Sequence, residues 1–281
     1  IPEQTAPGFF IYTNSIWRQV YMITLRLFLL PVICGLLATG CSMHNEEPQE
    51  VDLGPADISL DVLQKKMKNA TDPKRLFRNA DSYVMQQLLV TGNEDDKDMF
   101  MIITRYQKPN KLSITKLENG LPVAGQLIKD DKAWLIDYKA RKSTPLEGKQ
   151  LKLARTMFEI SNPSATFSKI FPEIKLEQCR IDSRFYYKMI CRSGEKGANP
   201  LNLYVGKNNF LVKQVSFIRK ADGMHYDAVM DQYGLYEGVM IAKKLTVKMN
   251  NLTQLYKVVK YKLNPKLSLK DFELPDFSKP E

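Results

Sequence analysis

The feature that most constrains the fold is a succession of short β-prone segments, separated by turn signals, from residue 83 to residue 264. Asn119-Gly120 and Asp222-Gly223 are typical of these turns, because Asn, Asp and Gly tolerate the left-handed backbone of tight hairpins. The regular spacing predicts an antiparallel sheet in meander order. The predicted strands are 83–92, 99–107, 111–120, 122–131, 133–139, 174–181, 185–192, 201–206, 210–220, 224–233, 239–250 and 252–264. Met99 to Ile103 is apolar on both faces, so part of this sheet must be covered twice.

Two helical stretches accompany this sheet. In the first, Asp57 or Ser59 can cap a helix, and Asp72-Pro73 restarts a second, shorter one. The other stretch begins at Thr144-Pro145, and a further short piece follows Asn162-Pro163. Their apolar stripes are Leu60, Leu63, Met67 and Ala70; Leu76, Phe77 and Ala80; Leu151, Ala154, Met157 and Phe158; and Phe167, Ile170 and Phe171. The sequence therefore predicts a mainly β fold (α+β) whose helices form a packing layer or a lid.

The segment from Met22 to Cys41 has a basic start at Arg26 and an apolar run from Leu27 to Leu37. The run is shorter than the ~20 residues of a spanning helix, and a transmembrane anchor or an ordinary cleaved signal are the alternatives. Its ending resembles a bacterial lipobox, whose cysteine is joined to diacylglycerol and becomes the first residue. The resemblance implies a lipoprotein signal peptide over 22–40, lipidation at Cys41 and a flexible tether over 41–57. Residues 1–21 are then an over-extended or leader sequence.

The chain carries a net charge of +10, with Lys and Arg spread over almost every segment. Such spacing is typical of the solvated faces of strands and helices. An excess of basic residues also favours anionic partners, either nucleic acid or phospholipid headgroups. Export from the cytoplasm removes nucleic acid as a partner, so solubility and phospholipid headgroups remain as explanations.

Cys179 and Cys191 remain as an even pair once Cys34 leaves with the signal and Cys41 carries lipid. Exported proteins fold in an oxidising compartment, where such a pair is expected to form a disulfide. A metal or redox pair is the alternative, but the two cysteines lack a CxxC spacing and a nearby His.

The sequence contains no motif for catalysis or phosphate binding, such as HExxH, GxSxG or a Gly-rich loop. His225 lies beside Asp227 without a nucleophile, and we interpret it as a partly exposed strand histidine. We therefore expect no enzymatic activity, no cofactor and no metal. Methionines recur in the strands, Met85 and Met230 among them, and their flexible thioethers suit a cavity for acyl chains. Ordinary core packing is the simpler explanation for methionine taken alone.

Several weak motifs occur in a consistent order from Ile58 to Phe277. An N-terminal helix precedes a meander that contains Gln107 to Asn110 and the Trp134 of DDKAWLIDYK. A helical interruption, further strands and the ending VKYKLNPKLSLKDFELPDF follow. In this order they resemble the LolA-like outer-membrane lipoprotein-sorting superfamily, which includes LolA, LolB, LppX and RseB relatives. The resemblance implies a half-open antiparallel β-barrel whose apolar concave face is covered by helices, and it implies that the chain carries or senses acyl chains.

Three features compare the chain with individual members of that superfamily. In LolA an Arg before the matching proline helps to gate the lid, whereas here Lys108 precedes Pro109. LolA is soluble, whereas a chain fixed by Cys41 resembles LolB in being held at a membrane. Ser42 follows the cysteine, which favours the outer membrane under the sorting rules of well-studied double-membrane bacteria.

The leading hypothesis is a non-enzymatic carrier of lipid or lipoprotein acyl chains, anchored in the envelope and facing the periplasm. An envelope transporter or a lipoprotein is the candidate protein partner. A sensor that binds a partner protein is the first alternative, and an envelope hydrolase is the second. The predicted lining of the cavity is Phe100, Ile102, Trp134, Ile136, Val215, Phe217, Val247 and Met249, with Leu151, Phe158 and Phe167 on the lid.

Overall fold

The computed structural model describes residues 49–93, 96–160, 165–194, 198–219, 223–250 and 252–278. The strands are β1 Glu50–Pro55, β2 Ser82–Asn93, β3 Asp96–Gln107, β4 Lys111–Glu118, β5 Leu121–Lys129, β6 Lys132–Asp137, β7 Lys142–Pro145, β8 Glu173–Ile181, β9 Arg184–Arg192, β10 Leu201–Gly206, β11 Val212–Arg219, β12 Met224–Tyr236, β13 Val239–Met249 and β14 Leu252–Leu263. The helices are α1 Leu60–Thr71, α2 Leu76–Asn79, α3 Gly148–Ile160 and α4 Phe167–Ile170, and a 3₁₀ helix spans Leu269–Phe272.

These strands form one antiparallel sheet in the order β1-β8-β9-β10-β11-β12-β13-β14-β2-β3-β4-β5-β6-β7. Strand β14 pairs with β2, which joins the late hairpins to the early meander. Strands β1 and β7 lie at the two edges, so the sheet is not closed. The predicted fold class, a half-open antiparallel barrel with a helical lid, is confirmed.

Alternating side chains give the sheet its buried concave face. In β4, Leu112 and Ile114 are 2% and 3% exposed, while Ser113 between them is only half-buried. The inward residues meet Leu89 from β2 and Tyr256 from β14 in the main hydrophobic core. Because a strand has a side-chain period of two, the polar residues between them point to the outer face.

Helix α1 covers the half of the sheet that contains β9 and β10. It begins where the Ser59 hydroxyl accepts a hydrogen bond from the Val62 backbone N–H at 3.4 Å, as expected of an N-cap. Leu63 and Met67 of its predicted apolar stripe are buried against Met189 and other residues of that half. This cluster fixes the helix on the concave side.

The predicted helix start at Thr144-Pro145 is wrong. Residues Lys142–Pro145 form edge strand β7, in which Pro145 is the partner of Trp134 in β6. An edge strand tolerates proline because its missing N–H can face away from the ladder. Helix α3 begins three residues later, at Gly148.

The predicted tether over 41–57 is also wrong in its second half. Strand β1 pairs with β8, with Glu50 opposite Ile181 and Asp52 opposite Cys179. The Glu50 carboxylate accepts hydrogen bonds from Lys188 Nζ at 2.5 Å and from the Tyr204 hydroxyl at 2.8 Å. Backbone pairing and these two side chains offset the flexibility expected of the sequence. Residues 1–48, with the predicted signal peptide and Cys41, lie outside the described part of the chain.

The predicted disulfide between Cys179 and Cys191 is absent, and both are buried free thiols. In the β8–β9 ladder Cys179 is opposite Tyr186, whereas Cys191 is opposite Ile174. The two cysteines are therefore five ladder positions apart, roughly 17 Å, and alternation places them on opposite faces of the sheet. A disulfide needs Cα atoms within about 7 Å.

The C-terminal segment covers the outer face of the early strands. Phe272 in the 3₁₀ helix is 1% exposed and packs against Leu127 and Ile136. Asp271 fixes the segment through an ion pair with Arg105 at 3.2 Å. The second covering therefore lies over β5 and β6, whereas Met99, in the stretch predicted to be covered twice, is 64% exposed.

Candidate functional site

A cavity of about 330 Å³ lies against the concave face of the sheet and the lid helices. Its volume falls at the lower end of the roughly 300–1,000 Å³ typical of small-molecule sites. The sheet contributes Tyr83, Met85, Gln87, Ile102, Thr104, Leu112, Ile114, Leu201, Leu203, Val212, Val215, Phe217, Tyr226, Ala228, Met230, Tyr233, Met240, Ile241, Ala242, Leu245, Tyr256, Val258 and Tyr261. The helical side contributes Gln64, Met67, Lys68, Thr71, Phe77, Met157, Phe158, Ile160, Ala165 and Phe167.

Apolar and aromatic side chains dominate this lining, and its tyrosines are uncharged. Burial raises the pKa of Tyr226 and Tyr261 well above the usual range, so both hydroxyls keep their protons at neutral pH. The Tyr256 hydroxyl donates to Gln254 Oε1 at 3.1 Å. The Tyr261 hydroxyl is buried without a hydrogen-bond partner among the described residues. The lining is suited to hydrocarbon, with few polar groups to orient a ligand.

Polar contacts between α1 and the region of α4 hold the lid together. Lys68 Nζ donates to Thr166 Oγ1 at 2.5 Å, and Gln64 Nε2 donates to Ser168 Oγ at 3.4 Å. The centroid of the Phe158 ring of α3, which lines the cavity, lies 5.6 Å from that of the Tyr106 ring of β3. These contacts add to the packing of the same helices in the hydrophobic clusters.

The described residues contain no group of three or more His, Cys, Asp and Glu side chains placed to hold a metal ion. His225 is exposed, and its Nδ1 lies 3.7 Å from Asp227 Oδ2. Within the same part of the chain, no helix combines the length and apolar character needed to cross a membrane.

No protein-family model matches the sequence, and no curated protein matches it either. Solved structures do match. A LolA superfamily protein from Nitrosomonas europaea superposes with a TM-score of 0.55 at 14% identity, over 77% of this chain and 98% of that one. The chain has a LolA-like fold.

Two further structures show the same likeness. A DUF1329 family protein from Desulfovibrio piger gives a TM-score of 0.55 at 10% identity, over 76% of this chain and 97% of that one. A structure described as an outer membrane lipoprotein-sorting protein domain, from Vibrio parahaemolyticus, gives 0.54 at 9% identity, over 76% and 95%. At these identities the shared property is the architecture.

The cavity brings together five of the eleven predicted lining residues. Ile102, Val215 and Phe217 line it from the sheet, and Phe158 and Phe167 line it from the helices. Phe158 lies on α3 and Phe167 on α4.

The other six predicted residues lie elsewhere. Phe100 and Val247 are buried in the main core, and Leu151 and Met249 pack against that core, so none of the four lines the cavity. Trp134 and Ile136 pack with the C-terminal cluster around Phe272, on the opposite face of β6 from Ala133 and Leu135. Their side chains face outward because the inward positions of β6 are the intervening ones.

The predicted lining did not include the tyrosines of the cavity, and the strand methionines were indicated only as a group. Tyr83 and Tyr261 stack at 5.6 Å between ring centroids and line one end. Met85, Met230 and Met240 were recognised as strand methionines, and all three line the cavity. A methionine at a strand position whose side chain points to the concave face was therefore the sequence feature that indicated a cavity residue.

The family-motif residues are outside the lining. Lys108 Nζ donates to the backbone carbonyl of Arg78 at 2.8 Å, and the Lys108 backbone N–H donates to the Asp81 carbonyl at 2.8 Å. Pro109 follows in the turn between β3 and β4. Lys108 therefore ties the end of β3 to helix α2 rather than pointing into the cavity.

Proposed function

We propose that this LolA-like chain is a non-enzymatic envelope lipoprotein that binds an acyl chain, from a lipid or from another lipoprotein, in its cavity. The observation that carries the proposal is the apolar space of about 330 Å³ beneath the lid helices. A packed core would leave no such space, because protein interiors are filled to crystal-like density. A hydrocarbon chain needs only apolar walls of this kind.

Burial of the hydrocarbon is the driving force for binding. Each methylene removed from water contributes roughly 0.8 kcal/mol, so ten buried methylenes contribute about 8 kcal/mol before the entropic cost of association. A dissociation constant of about 1 µM corresponds to roughly 8 kcal/mol, and the cost of association weakens binding from that value. Such affinity suits a carrier that must also release its ligand.

The methionines favour an adaptable ligand. Met67 and Met157 line the helical side, and Met85, Met230 and Met240 line the sheet side. A thioether chain has three rotatable bonds and adjusts to irregular shapes, which suits acyl chains of different length and bend.

The anchor is part of the same proposal. Residues 22–40 act as a signal peptide, Cys41 receives the lipid, and the domain faces the periplasm from the outer membrane. Because β1 begins at Glu50, residues 41–49 form the linker, and they span at most about 30 Å when extended. The cavity would then stay close to the membrane that supplies or receives the acyl chain.

The test of ligand binding is organic extraction of the purified mature chain, followed by mass spectrometry of the extract. We expect phospholipid or acylated peptide in near-stoichiometric amount. An empty protein that co-purifies with a stable protein partner would refute the carrier and favour the sensor.

A cavity-filling variant with a matched control links that result to the cavity. Met230 lines the cavity, whereas its neighbour Val229 is 38% exposed on the opposite face of β12. Met230→Trp should weaken binding of a fluorescent fatty acid by at least tenfold, because the indole occupies space that the acyl chain needs. Val229→Trp should leave the affinity unchanged. Equal affinities for the two variants would place the bound chain outside the cavity.

The anchor has its own test. Cells that express the full chain should incorporate radiolabelled palmitate into the wild type and not into Cys41→Ser. Equal labelling of both proteins would exclude Cys41 as the lipidated residue.

A further inference from the structure

One basic side chain, on α1, lines the cavity, and two exposed basic side chains lie on the neighbouring helices α2 and α4. Lys68 on α1 lines the cavity and donates to Thr166 Oγ1 at 2.5 Å. Lys169 lies on α4, and its backbone N–H donates to the carbonyl of Thr166, the N-cap residue of that helix, at 2.9 Å. Arg78 on α2 follows Phe77, which also lines the cavity. We call Lys68, Arg78 and Lys169 the basic rim.

The basic rim carries positive charge that the carboxylates near it neutralise only in part. The pKa of Lys68 is lowered, first by burial and then by the positive charges of Arg78 and Lys169. Neither Arg78 nor Lys169 forms an ion pair within the described ranges. The Asp72 carboxylate accepts a hydrogen bond from the Arg78 backbone N–H at 3.0 Å, and its Oδ1 is buried without a partner among the described residues. The negative charges of Asp72 and Glu237 help to raise the pKa of Tyr261, so both carboxylates lie near this end of the cavity and offset part of the positive charge. A bound anion would neutralise the remainder.

An unpartnered hydroxyl lies at the same end. Tyr261 lines the cavity and is 7% exposed, and its hydroxyl has no hydrogen-bond partner among the described residues. The Tyr83 ring lies between the Tyr261 ring and Phe77, the residue before Arg78. Its centroid is 5.6 Å from that of Tyr261 and 5.7 Å from that of Phe77. Buried polar groups are normally paired, so an unpaired hydroxyl at a cavity wall indicates a place for a polar ligand atom.

We propose that the basic rim and the Tyr261 hydroxyl bind an anionic headgroup, so that the preferred ligand is an acyl chain ending in a carboxylate or a phosphate. This inference rests on the proposed acyl binding, and it adds the chemical class of the ligand. Hydrogen bonds from a cation to an anion are about twice as strong as neutral ones. The headgroup would be held at the rim while the hydrocarbon occupies the cavity beyond it.

The test compares two probes of equal chain length on the full mature chain, laurate with a carboxylate and dodecanol without charge. We expect laurate to bind at least tenfold more tightly, as one charge-assisted hydrogen bond implies. The double variant Arg78→Gln/Lys169→Gln, which leaves the cavity lining intact, should lose about tenfold in laurate affinity and keep its dodecanol affinity, which also shows that it is folded. Lys65→Gln, an exposed lysine of α1, should change neither.

The outcomes separate this inference from the proposed function. If laurate and dodecanol bind equally well, acyl binding stands and the headgroup site is overturned. If neither probe binds, the proposed function fails and this inference fails with it. Inorganic phosphate should not displace laurate at millimolar concentration; displacement would show a free-anion site independent of acyl chains and would overturn the inference.

Discussion

The docking of strand β1 leads to a quantitative prediction for Glu50→Gln. The Glu50 carboxylate accepts hydrogen bonds from Lys188 Nζ at 2.5 Å and the Tyr204 hydroxyl at 2.8 Å. The Glu50 and Lys188 side chains are only 30% and 16% exposed, so solvent screens this pair incompletely. Hydrogen bonds to charged groups are worth about 1.5–3 kcal/mol. Glutamine keeps the shape but leaves Lys188 partly buried without its counter-charge, and the free energy of unfolding should fall by about 1.5–3 kcal/mol.

Urea unfolding followed by circular dichroism measures this loss, and Glu173→Gln is the matched control. Glu173 pairs with Arg192 at 3.2 Å in the adjoining β8–β9 ladder, but their side chains are 68% and 49% exposed. Exposed ion pairs contribute about 0–1 kcal/mol, so the control should change stability little. Equal and small effects of the two substitutions would refute the docking of β1 and would restore residues 50–55 to the tether.

Three further predictions concern the remaining structure. Burial raises the pKa of Cys179 and Cys191 to about 12. Because the thiolate is the reactive form, alkylation of the two thiols at pH 8 should be slow in the folded chain and fast in urea. Detection of one mole of disulfide per mole of chain would contradict the assignment of both cysteines as free thiols. Ser59→Ala removes the cap of α1 and should lower the free energy of unfolding, measured in urea, by about 0.5–2 kcal/mol. An unchanged free energy of unfolding would show that the Ser59 side chain does not cap the helix. Phe272→Ala should cost about 3–5 kcal/mol in urea unfolding, since the side chain is 1% exposed; a loss below about 1 kcal/mol would mean that the C-terminal segment does not pack on the sheet.

The sheet was predictable because its signals are local. In β13, Val247 is buried and its neighbour Lys248 is exposed, as the alternation of the sequence requires. The turn pair Asn119-Gly120 has positive φ at both residues, which is the conformation that these residue types favour. A period of two and a turn signal need no knowledge of distant parts of the chain.

Strand β1 and the cysteines were not predictable for the opposite reason. Pro55 and Gly54 indicate a loop when only neighbouring residues are considered, and the pairing partner of β1 lies more than a hundred residues later, in β8. An even number of cysteines does not show which residues face each other across two paired strands. Cys179 and Cys191 lie on adjacent strands but on opposite faces, which only the register shows.

The cavity was half predictable. Phe217 and Ile102 were identified by their apolar character and their place in alternating strands, and they line it. Trp134 and Ile136 have the same character but face the C-terminal segment, because both faces of β6 are covered. Where both faces of a strand are apolar, composition cannot indicate which one points to the cavity.

The central claim is that hydrocarbon occupies the cavity, and photo-crosslinking tests it most directly. The full mature chain is irradiated with a fatty acid that carries a diazirine at the end of its chain, and the labelled peptides are identified by mass spectrometry. The account predicts saturable labelling of lining residues such as Val215, Met230 and Met240. Labelling confined to exposed apolar side chains, such as Leu121 at 70% exposure, or labelling that does not saturate, would contradict it.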